Sequence, residues 1–223
     1  MQSCCFAGFD WSSQVRQIVY TKVKRILDIS LVLLSLITLA PLLIIVALLI
    51  SLESPGPIIH RKMVIGKGGR PFAVYKFRTT YPQDVNQEAY LRKLTTGELS
   101  GPEGDPVYKL KYDPRVTRVG RFLRMTSMDT LPQLLNVLRG NMSLVGPWPV
   151  QPFEWEHYSE WERERAAVLP GITGLAQLHL QRGISPEEAI KLDIEYVRQM
   201  SLPLDLRILA MTTLAVISGR GAY

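Results

Sequence analysis

Residues 26–52 read ILDISLVLLSLITLAPLLIIVALLISL, with Asp28 the sole charge before Glu53. As one continuous helix these 27 residues rise about 40 Å, enough to cross a hydrocarbon layer of roughly 30 Å. Two features redirect that reading from a spanning anchor. Pro41 removes a backbone donor and crowds the preceding turn, which predicts a kink or break. Arg16, Lys22, Lys24 and Arg25 precede the run, while Arg61, Lys62, Lys67, Arg70, Lys76 and Arg78 follow it. Basic flanks favour the cytoplasmic side, so both ends are expected there. The prediction is a re-entrant helix-break-helix turning at Pro41, its freed backbone groups satisfied by Ser35, Thr38 or water. Asp28 is expected at headgroup level as the partner of Lys24 or Arg25. A secretory signal fits less well, because the run exceeds the usual length and no small-residue cleavage site follows.

The whole chain of 223 residues, 47% hydrophobic, suits one catalytic domain plus a membrane element. A net charge of +6 and a pI near 9.4 favour an anionic partner. Lipid headgroups and nucleotide phosphates qualify; nucleic acid is set aside because no recognition motif accompanies the charge. Cys4 and Cys5 are the only cysteines, adjacent and unable to close a loop, so a reducing compartment is expected. His60, His157 and His179 lack neighbours at zinc spacing. With no P-loop or serine-hydrolase elbow either, nucleophile candidates narrow to carboxylates.

Beyond the apolar run, Ser54-Pro55-Gly56-Pro57 ends the helix. Apolar and polar positions alternate over 57–65 and 70–78 around Gly66-Lys67-Gly68-Gly69, predicting a β-hairpin with a glycine-rich turn. The polar stretch 81–106 reads as a connection around a short helix at 85–94. Met128, Leu131, Leu134, Leu135 and Leu138 recur at spacings of three and four, which predicts an amphipathic helix with Pro132 harmless in its first turn. Ser185-Pro186-Glu187-Glu188 is a capping box heading a helix over 186–200. Residues 202–217 are apolar but short for a span, suggesting a helix at the interface or in the core. Trp148, Phe153, Trp155, Tyr158 and Trp161 gather in one region, which suits either the headgroup zone or core packing.

Asp129 lies in the first turn of the predicted 128–138 helix, just after the arginine-rich run 115–124. Unpaired N–H groups and the helix dipole favour negative charge at such a terminus, so a carboxylate among cations there is placed to handle phosphate. Arg78, Arg115, Arg118, Arg121 and Arg124 are candidate phosphate clamps by their bidentate forks, and Lys76 joins them. Arg115, Arg118 and Arg121 share a face if the run is helical.

The chain resembles the bacterial sugar transferases, the monotopic phosphoglycosyl transferases, over residues 24–223. The resemblance is carried, in order, by Lys24-Arg25-Ile26-Leu27-Asp28, Ser54-Pro55-Gly56-Pro57, Lys76-Phe77-Arg78, the DPRVTRVG run at 113–120, residues 129–139, residues 142–147 and Pro170-Gly171-Ile172-Thr173-Gly174. It implies transfer of a phospho-sugar from a nucleoside diphosphate sugar, expected to be a UDP-sugar, to polyprenyl phosphate. Asp129 would be the nucleophile of a covalent aspartyl intermediate, and the reaction would depend on Mg²⁺. Two positions depart from the family pattern: its Asp-Glu pair reads Asp129-Thr130, and its Val-Gly-Pro-Arg-Pro loop reads Val145-Gly146-Pro147-Trp148-Pro149. A hydroxyl is a poorer hard-cation ligand than a carboxylate, so the metal ligands stay unassigned, with Asp193, Glu195 and Asp205 as replacement candidates. The departures also set a second reading, a catalytically silent scaffold that binds polyprenyl phosphate or a partner glycosyltransferase.

The expectation is therefore an α+β, mainly helical monotopic membrane protein with a re-entrant helix, a small β-hairpin and amphipathic interfacial helices. Residues 1–21 form a cytoplasmic segment, 22–53 the re-entrant helix and 54–223 the catalytic domain. The expected location is the cytoplasmic face of a bacterial inner membrane. Expected partners are the nucleotide sugar, polyprenyl phosphate, membrane lipids, and a second copy of the chain or a later glycosyltransferase.

Overall fold

A computed structural model describes residues 11–81, 116–180 and 184–218; the predicted 85–94 helix and Arg115 lie outside them. The chain opens with helix α1 (Trp11–Glu53), 43 residues that run through Pro41 without interruption. The expected break is thus replaced by a continuous helix. Ser35 donates to Leu31 O, and Thr38 to Leu34 O and Ser35 O, so both hydroxyls back-bond to earlier carbonyls. Packing on both sides of Pro41 offsets the lost bond. Val32 and Leu36 join a core with Val64, Val74, Leu134, Val137 and Met142, while Leu42, Leu43, Val46 and Ile50 join a second with Phe77 and Leu123. Most of the helix's apolar surface stays uncovered, including Ile37 at 74% exposure and Leu52 at 84%.

Strands β1 (Ile59–Ile65) and β2 (Pro71–Phe77) form the predicted antiparallel hairpin, in register from Ile59↔Phe77 to Ile65↔Pro71. Its turn is a 3₁₀ segment, Lys67–Gly69, with Gly68 and Gly69 at positive φ, which glycine adopts without a Cβ penalty. Helix α2 (Arg118–Met125) follows, then a 3₁₀ turn (Met128–Gln133) and the short helix α3 (Leu134–Leu138). The amphipathic helix expected over 128–138 is therefore split in two. Strands β3 (Ser143–Val145) and β4 (Gly171–Thr173) pair in parallel, with helices α4 (Pro152–His157) and α5 (Glu160–Arg163) between them. Helices α6 (Leu175–Leu180), α7 (Pro186–Gln199) and α8 (Leu202–Ile217) complete the described fold. The capping box opens α7 as read from sequence: Ser185 Oγ accepts from Glu188 N at 3.2 Å and Ser185 N donates to Glu188 Oε2 at 2.8 Å.

Polar contacts lock α1 to the rest. Asp28 is buried and accepts from Ser143 Oγ at 2.6 Å and from Leu144 N at 3.4 Å, so it supports β3 rather than pairing with Lys24 or Arg25. Lys24 instead pairs with Asp205 at 2.7 Å, and Arg25 donates to Leu138 O at the end of α3 and to Met142 O just before β3. A buried carboxylate is kept where donors meet it, and β3 supplies two. At the other end of α1, Glu53 accepts from Arg118 N at 2.7 Å and Val119 N at 2.9 Å, capping α2.

Gly120 on α2 lies so close to the strand exit that a Cβ there would sit 2.0 Å from Thr79 O. Gly120→Ala is expected to destabilise the fold by about 1–3 kcal/mol through overpacking, read as a lower thermal midpoint in detergent; an unchanged midpoint would show that α2 is free to shift.

Candidate active site

Asp129 stands on the 3₁₀ turn that packs against β2. The segment reaches it through Ser127 at φ 56°, a left-handed conformation that a non-glycine residue seldom holds and that clusters at functional sites. Lys76 Nζ lies 3.4 Å from Asp129 Oδ2, with side-chain exposures of 35% and 16%. Both groups are therefore reachable by a ligand. The adjacent Thr130 hydroxyl donates to Ser127 O at 2.8 Å, tightening the turn.

The turn is held to the hairpin by Asn136, fully buried on α3. Its side-chain amide donates to Ala73 O at 2.7 Å, and its carbonyl oxygen accepts from Tyr75 N at 3.1 Å. One amide thus satisfies the free edge of β2 as a third strand would, one residue away from Lys76. Sequence reading missed Asn136; the signal was a polar residue between Leu134 and Val137 on a run whose apolar positions face inward.

The arginines divide by role. Arg78 is buried, with Nη1 donating to Pro57 O at 2.7 Å and Nη2 to Ser54 O at 2.6 Å and Ile50 O at 3.4 Å. Its fork is engaged by carbonyls at and just beyond the C-terminus of α1, groups that a cation suits. Arg124 donates from Nε to Thr79 Oγ1 at 3.0 Å. Arg118 and Arg121 are exposed on α2, which packs beside the turn that carries Asp129.

The 145–149 loop is supported from below. Arg165 Nη2 pairs with Asp193 Oδ2 and donates to Trp148 O at 3.2 Å, while Nη1 donates to Tyr158 Oη at 3.0 Å. Trp148 N donates to the same Asp193 oxygen at 3.3 Å; the indole itself is 42% exposed. Burial pushes the Asp193 carboxyl up to about 6, against the pull of Arg165 and of the Trp148 N–H. Asp205 is likewise engaged, by Lys24, Tyr20 and Tyr196. Glu195 is exposed on α7 and accepts from Gln199. A hollow of about 450 Å³ lined by Trp161 and the 191–199 face of α7 includes none of the groups at Asp129.

Against known proteins, the profile described as bacterial sugar transferase matches residues 19–219. The chain belongs to the bacterial sugar transferase family. The UDP-glucose:undecaprenyl-phosphate glucose-1-phosphate transferase of Caulobacter vibrioides is 41% identical over 208 residues, which cover 90% of this chain and 72% of that protein. The protein of the same name from Escherichia coli is 37% identical over 209 residues, 90% of this chain and 41% of its own length. The exopolysaccharide production protein ExoY of Sinorhizobium fredii is 39% identical over 202 residues, 90% and 88% of the two chains. This sugar transferase thus spans most of two of these relatives and about two fifths of the other.

For a divalent cation, the donor set around Asp129 in this sugar transferase is poor. Among the described residues no group of three or more His, Cys, Asp or Glu side chains gathers. Asp129 has a lysine beside it, and the next residue offers only a hydroxyl that is already donating. The described residues therefore do not fit a Mg²⁺ site built by protein carboxylates, which is what such an ion requires in part.

Proposed function

We propose that the chain transfers a sugar phosphate from a UDP-sugar to undecaprenyl phosphate, the acceptor named for the Caulobacter and Escherichia coli relatives, and so begins assembly of an exopolysaccharide, O-antigen or other glycoconjugate. The observation that carries it is Asp129, a reachable carboxylate on a strained turn with Lys76 at 3.4 Å. Asp129 Oδ attacks the phosphorus that bears the sugar, and the bond from that phosphorus to the UMP oxygen breaks. An oxygen of the lipid phosphate then attacks the same phosphorus. The aspartyl bond breaks, the carboxylate is regenerated, and polyprenyl diphosphate sugar leaves. Two displacements at one centre imply ping-pong kinetics. Lys76 holds the Asp129 carboxylate in place and balances charge on the incoming phosphate. UMP release is expected to depend on Mg²⁺, as the family resemblance implies, and titrating Mg²⁺ against UMP release tests it. Purified membranes supplied with undecaprenyl phosphate and a panel of UDP-sugars should release UMP with at least one sugar; release with none supports the scaffold reading, which Thr130 and Trp148 favour.

The proposed topology is monotopic, on the cytoplasmic side of the membrane. Contacts from Tyr20, which donates to Asp205, to Glu53, which caps α2, place the globular part along about 50 Å of helix. That exceeds a hydrocarbon layer of roughly 30 Å, so crossing would draw polar groups such as Asn136 and Asp205 toward lipid. Uncovered apolar residues on α1 supply the membrane-facing surface. In a variant lacking Cys4 and Cys5, single cysteines at Gln17 and Gly69 should both resist a membrane-impermeant thiol reagent in intact cells. Labelling of only one would establish a span.

A further inference from the structure

The face of the hairpin that presents Lys76 to Asp129 carries more positive charge than the ion pair uses. His60 is directly opposite Lys76, and Lys62 stands one pair further along on the same face, since strand positions two apart share a face and diagonal neighbours come within about 7–8 Å. Lys62 and His60 each leave more than a third of their surface open to solvent and are otherwise packed against the hairpin's neighbours. Lys62 forms no ion pair among the described residues, whereas Lys76 has Asp129. The opposite face is chemically separate: Arg61 and Arg139 both stack on Tyr75, at 5.7 and 4.8 Å. So two ammonium groups and one imidazole share one face of the hairpin, with Asp129 reached at its Lys76 end and Glu154 on α4 near Lys62.

We propose that Lys62 and His60 are substrate-binding residues that complete, with Lys76, a seat for the diphosphate of the nucleotide sugar. This rests on the reading of Asp129 as nucleophile. An attacked phosphorus must come within about 3–3.5 Å of the carboxylate oxygen, and Lys76 already flanks that oxygen, so the attached phosphate oxygens extend over the hairpin face. Lys62 meets them with charge. His60 meets them as a neutral donor, because partial burial and the adjacent Lys62 and Lys76 hold its imidazole below the usual histidine range. Lys62 is itself shifted down by partial burial and by the charge of Lys76, which an anion bound between the two would relieve. The protein's own ammonium groups thus supply charge for diphosphate binding where the described acidic ligands are too few for a cation site.

The test is UDP binding by titration calorimetry, using the full chain in nanodiscs with and without EDTA, beside UMP release. Wild type is expected to bind UDP in EDTA. Lys62→Gln should weaken that binding about tenfold and His60→Ala about threefold, with Lys62→Arg close to wild type, while Arg61→Gln on the other face changes it less than twofold. UDP affinity in Lys62→Gln within twofold of wild type overturns the proposal. A raised KM for undecaprenyl phosphate alone also overturns it, and moves Lys62 to the lipid phosphate. If UDP binding by wild type vanishes in EDTA, the charge is not supplied by the hairpin and the proposal fails. If wild type binds no UDP under any condition, the transferase reading fails with it. Loss of UDP binding in Lys62→Gln alongside UMP release that survives Asp129→Asn would uphold the seat and remove the nucleophile assignment.

Discussion

Asp129→Asn is expected to reduce UMP release by at least about 10³-fold, or roughly 4 kcal/mol of barrier. The amide cannot form the aspartyl phosphate and is a far weaker nucleophile. The substitution is nearly isosteric on an accessible turn, so the protein should remain folded and its thermal midpoint close to wild type. UDP binding should persist, and with Lys76 released from its 3.4 Å partner it should strengthen. The companion variant Thr130→Glu places a second carboxylate beside the first; if cation placement limits the rate, activity should rise by about ten- to a thousandfold, about 1.4–4 kcal/mol. Turnover in Thr130→Glu but none in wild type would mark a catalyst kept for binding. Full activity in Asp129→Asn would remove Asp129 as nucleophile.

Arg165→Met is expected to be the most destabilising single change in the described core, by about 3–5 kcal/mol, because it leaves Asp193 charged and unpaired at 1% side-chain exposure. The sign of its pH dependence follows from burial. The folded-state pKa of Asp193 is about 6 against 3.8 in the unfolded chain, and loss of Arg165 moves it further up. Between those values the folded protein binds more protons, so stability falls as pH rises through the folded pKa. The deficit of Arg165→Met should therefore be largest at pH 8 and shrink toward pH 5. The double variant Arg165→Met with Asp193→Leu should recover most of the loss, since apolar replacement of a buried pair is often near neutral. A deficit that does not change with pH would place the damage in lost packing against Tyr158 and Trp148 instead.

These two sites also mark what could be read from sequence. The hairpin, the capping box at Ser185 and the helix over 202–217 were legible because each is written in local periodicity and turn chemistry, as the structure's Leu202–Ile217 helix bears out. Asp28 was misread because its partner Ser143 is 115 residues away, and no spacing rule reaches that far; Lys24 and Asp205, 181 apart, were hidden in the same way. The helix over 128–138 was too regular an expectation, since Ser127 and Pro132 tighten the chain into a 3₁₀ turn before α3 begins. Arg78 shows the limit at the site itself. A guanidinium suits a phosphate and a helix C-terminus equally well, and only the fold puts the carbonyls of Ser54 and Pro57 in its reach. Lys76 and Asp129 were both named from sequence, but their juxtaposition depends on Asn136, whose amide joins two elements about sixty residues apart in sequence.

Arg78 has a consequence beyond capping. It sits two positions after Lys76, just past the end of β2, which amounts to about 7 Å of extended chain, and its fork is fastened to Ile50 O in the last turn of α1 and to Ser54 O just beyond it. On the proposed topology the membrane helix therefore acts as a ruler, setting the height of the reactive carboxylate above the lipid surface with very little slack. An acceptor confined to the bilayer then needs only to diffuse sideways to arrive at the correct level, while its water-borne co-substrate descends from the other side. Search for one partner is reduced to two dimensions, and lengthening the strand exit between Phe77 and Thr79 by even one residue would lift the carboxylate out of register with its lipid.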